Sequence, residues 1–478
     1  MMIYPSVGPI IGGVRLSARG REVISVENPA TVESLGELAL ATDADLGAAL
    51  AAAERGFAIW RETSPLERSG VLRRAAALLR ERLEDIARVM TLEQGKVLAE
   101  SRAEILASAE IFEWSAEEGR RSYGRVIPAR EPNQHFEVRH EPIGPVAAFC
   151  AWNFPMLLPA RKVAAALAAG CSVILKPSEE TPGVGFMMVE ALLDAGLPPD
   201  VLSLVFGDPP HLSAKLIASD VIRKASITGS VPAGRAVAGL CGQHLKRCTL
   251  ELGGHAAIGV FSDIDVSSVV SKLAATKYRN SGQVCVSPTR FFVQNAIYEE
   301  FVDNFARFAN DLRIGNGLLP ESQMGPLANS RRLESVERMI ADAVQKGATV
   351  VAGGKRVGNV GYFHEPTVLV DVPDNASVLT EEPFGPVATI MRFSEIDEFV
   401  ARANSLEFGL ASSVFSNDLK TTRYVSERLE VGMVGVNEVA YGLAETPVCG
   451  VKSSGLGHEG GIEGVADHMV TKFITERS

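Results

Sequence analysis

Three short segments of the chain carry side chains that could do chemistry on a small molecule. Asn153 is an amide at the end of an apolar run, and Glu251 is a carboxylate at the end of another, just before Leu252 and two glycines. Cys285 closes a polar, glycine-marked segment, 280–285. A thiol can supply a nucleophile, a carboxylate can move protons and an amide can donate hydrogen bonds. Each segment also has a structural alternative, since a cysteine is often a small buried hydrophobe and a glutamate before two glycines can simply end a strand.

Cys285 is the best candidate for a thiolate among the six cysteines. Cys150 and Cys171 fall in apolar runs, and Cys241 and Cys248 flank a predicted helix–strand turn. No two cysteines have CxxC spacing, so we expect neither a disulfide framework nor a metal site. The expected compartment is a reducing one, the cytoplasm.

The elements that must position these residues follow an α/β pattern. Residues 43–118 are predicted to be helical. From residue 146 onward, apolar runs alternate with helical patterns, which predicts parallel strands, helical crossovers and a doubly wound sheet. Ligands of such a sheet bind beyond the carboxyl ends of its strands. A second α/β stretch is predicted from about 255 to 445. The polar, alternating segment 120–143 predicts an extended hairpin, which either has no function in assembly or is an arm that forms an interface.

Several helix ends carry recognisable capping residues. Ser64, Pro65 and Glu67 combine an N-cap, a proline at the first helical position and a capping-box glutamate. Gly170 is predicted to end a helix in the left-handed conformation. Thr181 followed by a proline is predicted to cap the helix over 182–195.

Two segments are suited to a nucleotide. Lys176 to Glu179 follow an apolar strand, and the Glu179 carboxylate could accept hydrogen bonds from the two ribose hydroxyls, which favours NAD over NADP. Gly229 and Ser230 follow another strand at a helix start, where free N–H groups suit a pyrophosphate. Taken alone, this segment favours the alternative of an ordinary strand-to-helix turn. The GxGxxG match at 455–460 lacks a leading apolar strand and a βαβ unit, so we do not interpret it as a phosphate loop.

Length and composition limit the classes of protein that remain. The chain has 478 residues, is 46% hydrophobic and carries a net charge of −11. No basic cluster interrupts that acidic balance, so neither a nucleic acid nor an anionic membrane surface is an expected partner. No signal peptide or uninterrupted membrane-length apolar run is visible. A large acidic enzyme of two to four domains is the expectation.

Taken in order along the chain, the motifs resemble those of the aldehyde dehydrogenase superfamily. They are WNFP (152–155), KPSE (176–179), TGS (228–230), ELGG (251–254), GQVC (282–285), EEPFGP (381–386) and PVCGVKSSGLG (447–457). The order and spacing extend over nearly the whole chain. The resemblance is greatest to the succinate-semialdehyde dehydrogenase-type, NAD(P)-dependent members.

The resemblance implies a role for each catalytic candidate. Cys285 is expected to attack the aldehyde to form a thiohemiacetal and then a thioester, with Asn153 donating to the oxyanion. Glu251 is expected to activate the water that hydrolyses the thioester. Lys162 and Glu459 match positions linked to a proton relay.

The resemblance also implies a cofactor site and an architecture. The residues matched to NAD, with NADP possible, are Trp152, Lys176, Ser178, Glu179, Gly229, Ser230, Glu382 and Phe384. The expected fold is a modified Rossmann cofactor domain (1–121 and 142–252), an α/β catalytic domain (253–450) and a small β oligomerisation element with the tail (122–141 and 451–478). Family members form homodimers or homotetramers through such arms.

The resemblance allows several classes of substrate. Arg161 matches an arginine that succinate-semialdehyde dehydrogenases use toward the substrate carboxylate, and Arg290 also matches a family position, so a carboxylate-bearing semialdehyde is the first expectation. Cys449 is expected near the substrate mouth, together with the loop 438–446. The alternatives are an aromatic or aliphatic aldehyde, a CoA-acylating relative, which generally lacks the Glu251 base, and a non-catalytic structural use of the fold.

Overall fold

The computed structural model describes residues 4–478, and its strands form two large sheets and three small ones. The strands are β1 Ile10–Ile11, β2 Val14–Arg15, β3 Val23–Glu27, β4 Ser34–Ala39, β5 Arg125–Ile127, β6 Gln134–Pro142, β7 Val146–Phe149, β8 Val173–Lys176, β9 Leu202–Leu204, β10 Lys224–Thr228, β11 Arg247–Glu251, β12 Ala256–Val260, β13 Pro288–Gln294, β14 Thr349–Ala352, β15 Thr367–Val370, β16 Val387–Phe393, β17 Phe408–Gly409, β18 Ala411–Phe415, β19 Met433–Val436, β20 Val451–Lys452, β21 Gly455–Leu456 and β22 Met469–Arg477.

Helices cover both faces of the large sheets. They are α1 Asp43–Trp60, α2 Pro65–Glu81, α3 Leu83–Gln94, α4 Leu98–Glu118, α5 Leu157–Ala169, α6 Pro182–Asp194, α7 Pro209–Ala218, α8 Val231–Gln243, α9 Val266–Tyr278, α10 Tyr298–Asp311, α11 Ser330–Gln345, α12 Ser377–Thr380, α13 Ile396–Asn404, α14 Leu419–Ser426 and α15 Gly461–Ala466. No helix within residues 4–478 is both long and apolar enough to cross a membrane.

The first large sheet is the predicted doubly wound one. Its order is β2-β1-β9-β8-β7-β10-β11-β21, and the five strands from β9 to β11 are parallel. The chain moves outward from β7 to β8 and β9, then returns to the other side of β7 for β10 and β11. The strand order therefore reverses between β7 and β10, which is where sheets of this type bind ligands.

Alternation along the strands divides the core into layers. In β7, Val146 and Ala148 pack into one cluster, whereas Ala147 and Phe149 pack into the cluster on the opposite face. Because both faces are covered, these strands are apolar throughout rather than alternating. The second large sheet, β14-β15-β16-β13-β12-β18-β19, is likewise covered on both faces.

The hairpin of β5 and β6 pairs with the C-terminal strand β22 in a three-stranded antiparallel sheet. The element expected over 122–141 and 451–478 differs from this sheet in one respect. β21 pairs with β11 and thereby extends the first large sheet, and β20 pairs with β17. Only the last part of the C-terminal segment thus belongs with the hairpin.

Helix ends follow local signals in two cases and a distant residue in a third. Ser64 and Glu67 form the predicted capping box, and Gly170 ends α5 at φ 101°. The prediction for Thr181 is wrong, because its hydroxyl caps nothing and has no hydrogen-bond partner. The Glu93 carboxylate instead accepts from the backbone N–H groups of Gly183 and Val184 at 2.6 and 3.2 Å.

Candidate active site

The three predicted catalytic residues lie at the ends of elements from both large sheets. Asn153 follows β7, Glu251 is the last residue of β11, and Cys285 lies between α9 and β13. The Asn153 side-chain nitrogen donates to the backbone oxygen of Gln283 at 3.2 Å. A Cβ on Gly254 would lie 2.7 Å from the backbone oxygen of Cys285, so the glycines after Glu251 permit the predicted close approach.

Left-handed backbone conformations shape the segment before Cys285. Asn280, Ser281 and Gly282 have φ values of 50°, 54° and 72°. A Cβ on Gly282 would lie 2.1 Å from the backbone oxygen of Gly385, so only glycine fits between this segment and the EEPFGP motif. Such conformations persist only where surrounding contacts hold them. The segment thus presents Cys285 in one defined position.

The Cys285 thiol is half-buried beside apolar and acidic groups. It packs against an apolar cluster of Leu410, Ala411 and Met433, as Val448 also does. Burial, together with the negative charges of Glu382 and Glu251, raises the pKa of the Cys285 thiol to about 12, and hydrogen bonds from the N–H groups of Cys285 and Val286 oppose that rise. The thiol is therefore protonated at neutral pH and needs a base to become a nucleophile.

Glu251 is buried, and neither carboxylate oxygen has a hydrogen-bond partner. Burial and the nearby Glu459 carboxylate raise its pKa well above the usual value, whereas the positive charges of Lys162 and Arg161 lower it. An unpartnered buried carboxylate is costly, and such groups cluster at functional sites. Glu251 is therefore protonated more readily than an exposed glutamate.

Lys162 and Glu459 form a buried ion pair, so the structure brings together the two predicted relay residues. The Ser226 hydroxyl bridges them, since it accepts from the Lys162 ammonium at 3.1 Å and donates to the Glu459 carboxylate at 3.0 Å. Because the charges of this pair act on Glu251, the three ionisable groups share one electrostatic environment.

Arg161 lies one residue before Lys162 on α5 and is only 5% exposed. One terminal nitrogen, Nη2, donates to the backbone oxygen of Gly442 in the loop 438–446. The other, Nη1, is buried and has no partner. The carboxylates of Glu459 and Glu251 and the Cys285 sulfur lie close enough to act on its charge. A buried guanidinium nitrogen without a partner is suited to an incoming anion.

The predicted substrate role of Arg290 is not compatible with its surroundings. Its three guanidinium nitrogens donate to the backbone oxygens of His255, Arg402 and Ala403, each at 3.1 Å. Arg290 therefore ties β13 to α13 instead of reaching substrate. Cys449 is half-buried, and its sulfur lies 3.6 Å from the Gly432 backbone oxygen and near the Glu251 charge.

The residues matched to the adenosine half of a dinucleotide follow β8 and β10. The Lys176 ammonium pairs with Glu179 at 2.5 Å, and the second Glu179 oxygen accepts from the N–H of Gly207 at 2.9 Å. Ser178 is partly exposed beside them. After β10, Gly229 leads into Ser230, whose hydroxyl caps α8. These groups surround the point where the strand order reverses, and the free N–H groups of α8 suit a phosphate.

The residues matched to the nicotinamide half lie between the two sheets. Glu382 accepts from the N–H of Gly254 at 3.0 Å, and burial raises its pKa to about 7. The rings of Trp152 and Phe384 meet edge to face at 5.5 Å between centroids. Arg332 on α11 lies over the Phe384 ring at 5.8 Å. The Glu382 carboxylate, the two aromatic rings and the neighbouring glycines are groups that fit the nicotinamide half of a dinucleotide.

Sequence reasoning missed four residues that the structure places in contact with the site: Lys96, Glu104, Ser226 and Asn280. Only Asn280 carried a signal, since it opens the segment that ends at Cys285. Lys96 and Glu104 lie in the region 43–118, which the sequence predicted only to be helical. Their burial is a consequence of tertiary packing.

Comparison with known proteins agrees with this geometry. A model of the aldehyde dehydrogenase family matches residues 16–474. The chain is 49% identical to a putative 4-(hydroxymethyl)benzenesulfonate dehydrogenase of Comamonas testosteroni over 99% of this chain and 98% of that protein. It is 41% identical to an NADP(+) succinate-semialdehyde dehydrogenase of Escherichia coli, with 97% and 96% of the two chains covered.

A solved succinate-semialdehyde dehydrogenase from Burkholderia pseudomallei superposes with a TM-score of 0.97 at 41% identity, covering 99% of this chain and 98% of that one. The match extends over both large sheets and the helices between them. The chain belongs to the aldehyde dehydrogenase family and is an NAD(P)-dependent oxidoreductase that converts aldehydes to carboxylic acids.

Proposed function

We propose that the physiological substrate is an aldehyde with an anionic group at its far end, and that Arg161 binds that anion. The observation that carries this proposal is the buried, unpartnered Nη1 of Arg161 beside Cys285 and Glu251. The names of the relatives support it, because succinate semialdehyde carries a carboxylate and 4-(hydroxymethyl)benzenesulfonate a sulfonate. Both groups accept paired hydrogen bonds from a guanidinium.

The apolar residues near Cys285 favour a substrate cavity that takes an aldehyde with an apolar body. Cys285, Tyr441 and Val448 all pack against the cluster of Leu410, Ala411 and Met433, so Arg161 is the group that would bind the anion. A semialdehyde with an aliphatic body and an aryl aldehyde with a carboxylate or sulfonate both satisfy these requirements. We propose that Cys449 and the loop 438–446 line the entrance to this cavity.

Arg161→Met tests the substrate proposal. We expect kcat/KM to fall roughly 10- to 100-fold for succinate semialdehyde and for a benzaldehyde with a para sulfonate, which corresponds to about 1.5–3 kcal/mol for a hydrogen bond to a charged group. The matched neutral aldehydes, butanal and benzaldehyde, should lose much less. Steady-state NADH and NADPH formation measures both classes. Comparison within each pair isolates the contribution of the anion, and comparison between the pairs identifies the preferred body. An equal loss for charged and neutral aldehydes would refute the role of Arg161.

The chain's own residues support a covalent mechanism. Glu251 takes the proton of the Cys285 thiol, directly or through water, and the sulfur adds to the aldehyde carbon. The Asn153 amide has a second hydrogen for the oxyanion, and the Cys285 N–H is the other donor. NAD(P)+, when bound, would supply the acceptor for the hydride that the sulfur adduct must lose to become a thioester. Once the Lys162–Glu459 pair has carried the thiol proton away, Glu251 activates water against the thioester.

Two substitutions separate these steps. Cys285→Ala should abolish dehydrogenation and keep cofactor binding, measured by fluorescence titration. Glu251→Gln should give an acyl-enzyme burst of NADH followed by turnover reduced by about 10²-fold or more, because the thioester lacks its base. Wild-type oxidation by Cys285→Ala would overturn the nucleophile assignment. An acyl-CoA product in the presence of CoA would favour the acylating branch.

For the cofactor, we propose that Lys176, Ser178 and Glu179 hold the adenine ribose and that Gly229 and Ser230 hold the pyrophosphate. Trp152, Glu382 and Phe384 would position the nicotinamide half. The Glu179 carboxylate would repel a 2′-phosphate, so NAD is the preferred cofactor, with NADP possible.

We propose further that the chain is a homodimer or homotetramer assembled through the three-stranded sheet. The exposed apolar side chains Tyr123, Val126 and Phe473 on and beside that sheet support an interface there. The cytoplasm is the proposed compartment, and the free thiols of all six cysteines are consistent with it.

A further inference from the structure

The backbone of Asn153 is held by residues from two other parts of the chain. Its carbonyl oxygen accepts from the Lys96 ammonium and from the Asn280 side-chain nitrogen, each at 2.9 Å. The Asn280 amide also donates to the Gln283 backbone oxygen at 3.3 Å, the acceptor that the Asn153 side chain uses. The proposed oxyanion donor is thus bonded through both its backbone and its side chain.

Lys96 is one of the most completely buried charged residues of the molecule, at 1% exposure. It follows Gly95, which ends α3 in the left-handed conformation at φ 95°. Its ammonium pairs with Glu104 at 2.5 Å and lies 4.2 Å from the centre of the Phe154 ring. Since a buried charge is tolerated only with well-placed partners, the position of the ammonium is strongly constrained.

Glu104 extends the same network to α5. Its other oxygen accepts from the N–H groups of Met156 and Leu157 at 2.9 and 3.1 Å. The N-cap residue of α5 offers no side-chain acceptor, so Glu104 on α4 supplies the cap. Because α5 carries Arg161 and Lys162, the Lys96–Glu104 pair holds both the Asn153 turn and the helix that bears these residues.

We propose that Lys96 is a positioning residue for catalysis: through its hydrogen bond to the Asn153 carbonyl, it holds the Asn153 amide where the oxyanion forms. This inference rests on the proposed role of Asn153. Lys96 itself touches neither substrate nor sulfur. Without its ammonium, the Asn153 peptide keeps only the Asn280 bond and can tilt, which moves the side-chain donor away from the carbonyl oxygen.

The test is a double-mutant cycle of Lys96→Met and Asn153→Ala, read as the rate of the pre-steady-state NADH burst. A misplacement of about 1 Å can cost about 10²-fold, so we expect Lys96→Met to slow the burst by roughly 10- to 100-fold while cofactor affinity is retained. In the Asn153→Ala background, the same substitution should change the burst rate by no more than about twofold.

Lys224→Met is the matched control. Lys224 is another buried lysine, and it forms an ion pair with Asp467. It is the first residue of β10 and pairs with the first residue of β7, whereas Asn153 follows the carboxyl end of β7. Lys224→Met should lower the thermal midpoint as Lys96→Met does and leave the burst rate within about twofold. Should Lys96→Met fail to fold, Asn280→Asp removes the other donor to the same carbonyl and should show the same coupling to Asn153→Ala.

The outcomes separate the two proposals. A full additional loss from Lys96→Met in the Asn153→Ala background would overturn the positioning role and leave the role of Asn153 intact. An unchanged burst rate in Asn153→Ala alone would overturn the oxyanion assignment itself.

Discussion

Glu251 shows how single charges set the chemistry of the site. Its carboxylate acts as a base only when deprotonated, yet burial and the Glu459 charge raise its pKa. Lys162, which is paired with Glu459, opposes that rise. The charges of this pair therefore influence the pH at which Glu251 loses its proton.

Glu459→Gln should make Glu251 a base at lower pH. The substitution removes a negative charge that raises the Glu251 pKa and leaves the positive Lys162 unopposed, so the pKa falls. Deacylation increases with pH as Glu251 deprotonates, and the acid limb of the kcat–pH profile should move to lower pH. Glu476→Gln, which removes an exposed carboxylate from β22, should leave the limb in place. A shift toward higher pH would contradict this account.

At the scale of elements, helices are held by carboxylates from their neighbours. Glu93 caps α6 from α3, and Glu104 caps α5 from α4. The N-terminus of α5 therefore depends on a residue about fifty positions earlier. These caps tie the start of each helix to a neighbouring helix, and α5 is the helix that carries Arg161 and Lys162.

Glu93→Ala and Thr181→Val compare the observed cap of α6 with the predicted one. Glu93→Ala leaves buried N–H groups without an acceptor and should destabilise the protein by about 1–3 kcal/mol. Thr181→Val removes a buried hydroxyl that has no partner, so stability should stay the same or increase. Urea unfolding monitored by circular dichroism measures both. An equal loss of unfolding free energy in both variants would mean that the Thr181 hydroxyl stabilises the protein.

At the scale of the whole molecule, segments from the two large sheets meet at the active site. Residues that follow β7 and β11 contact residues that precede β13 and β16. The three-stranded sheet joins a hairpin to the C-terminal strand through the pairing of β6 and β22. It exposes Val126 and Phe473, the latter edge to face with Phe136.

The double variant Val126→Glu with Phe473→Glu tests assembly through this sheet. Charges on these exposed apolar positions should weaken an interface and leave the fold of each chain intact. We expect light scattering after size exclusion to show a smaller species, with an unchanged circular dichroism spectrum. Val360→Glu changes another exposed apolar residue outside the sheet and should keep the parental mass. An unchanged mass for the double variant would rule out this interface.

Local sequence was sufficient for much of the fold. The alternation of apolar runs and helices from residue 146 predicted the parallel sheet, and Ser64 and Gly170 marked helix ends, because each signal depends on residues adjacent in sequence. The motifs identified the family because each one is a short contiguous segment that can be recognised without knowledge of the fold. The predicted relay residues, Lys162 and Glu459, do meet, although nearly three hundred positions separate them.

Tertiary structure alone decided which polar groups are paired and which are free. Arg161 and Arg290 are both buried arginines, yet Arg290 has backbone partners for its three guanidinium nitrogens and Arg161 keeps Nη1 unpartnered. The burial of Lys96 beneath Asn153 and the cap that Glu93 supplies likewise join distant segments. Residue types determined the chemistry available to this protein, whereas the three-dimensional packing determined which residues are placed to perform it, because hydrogen bonding and burial depend on distance in space and not on distance along the chain.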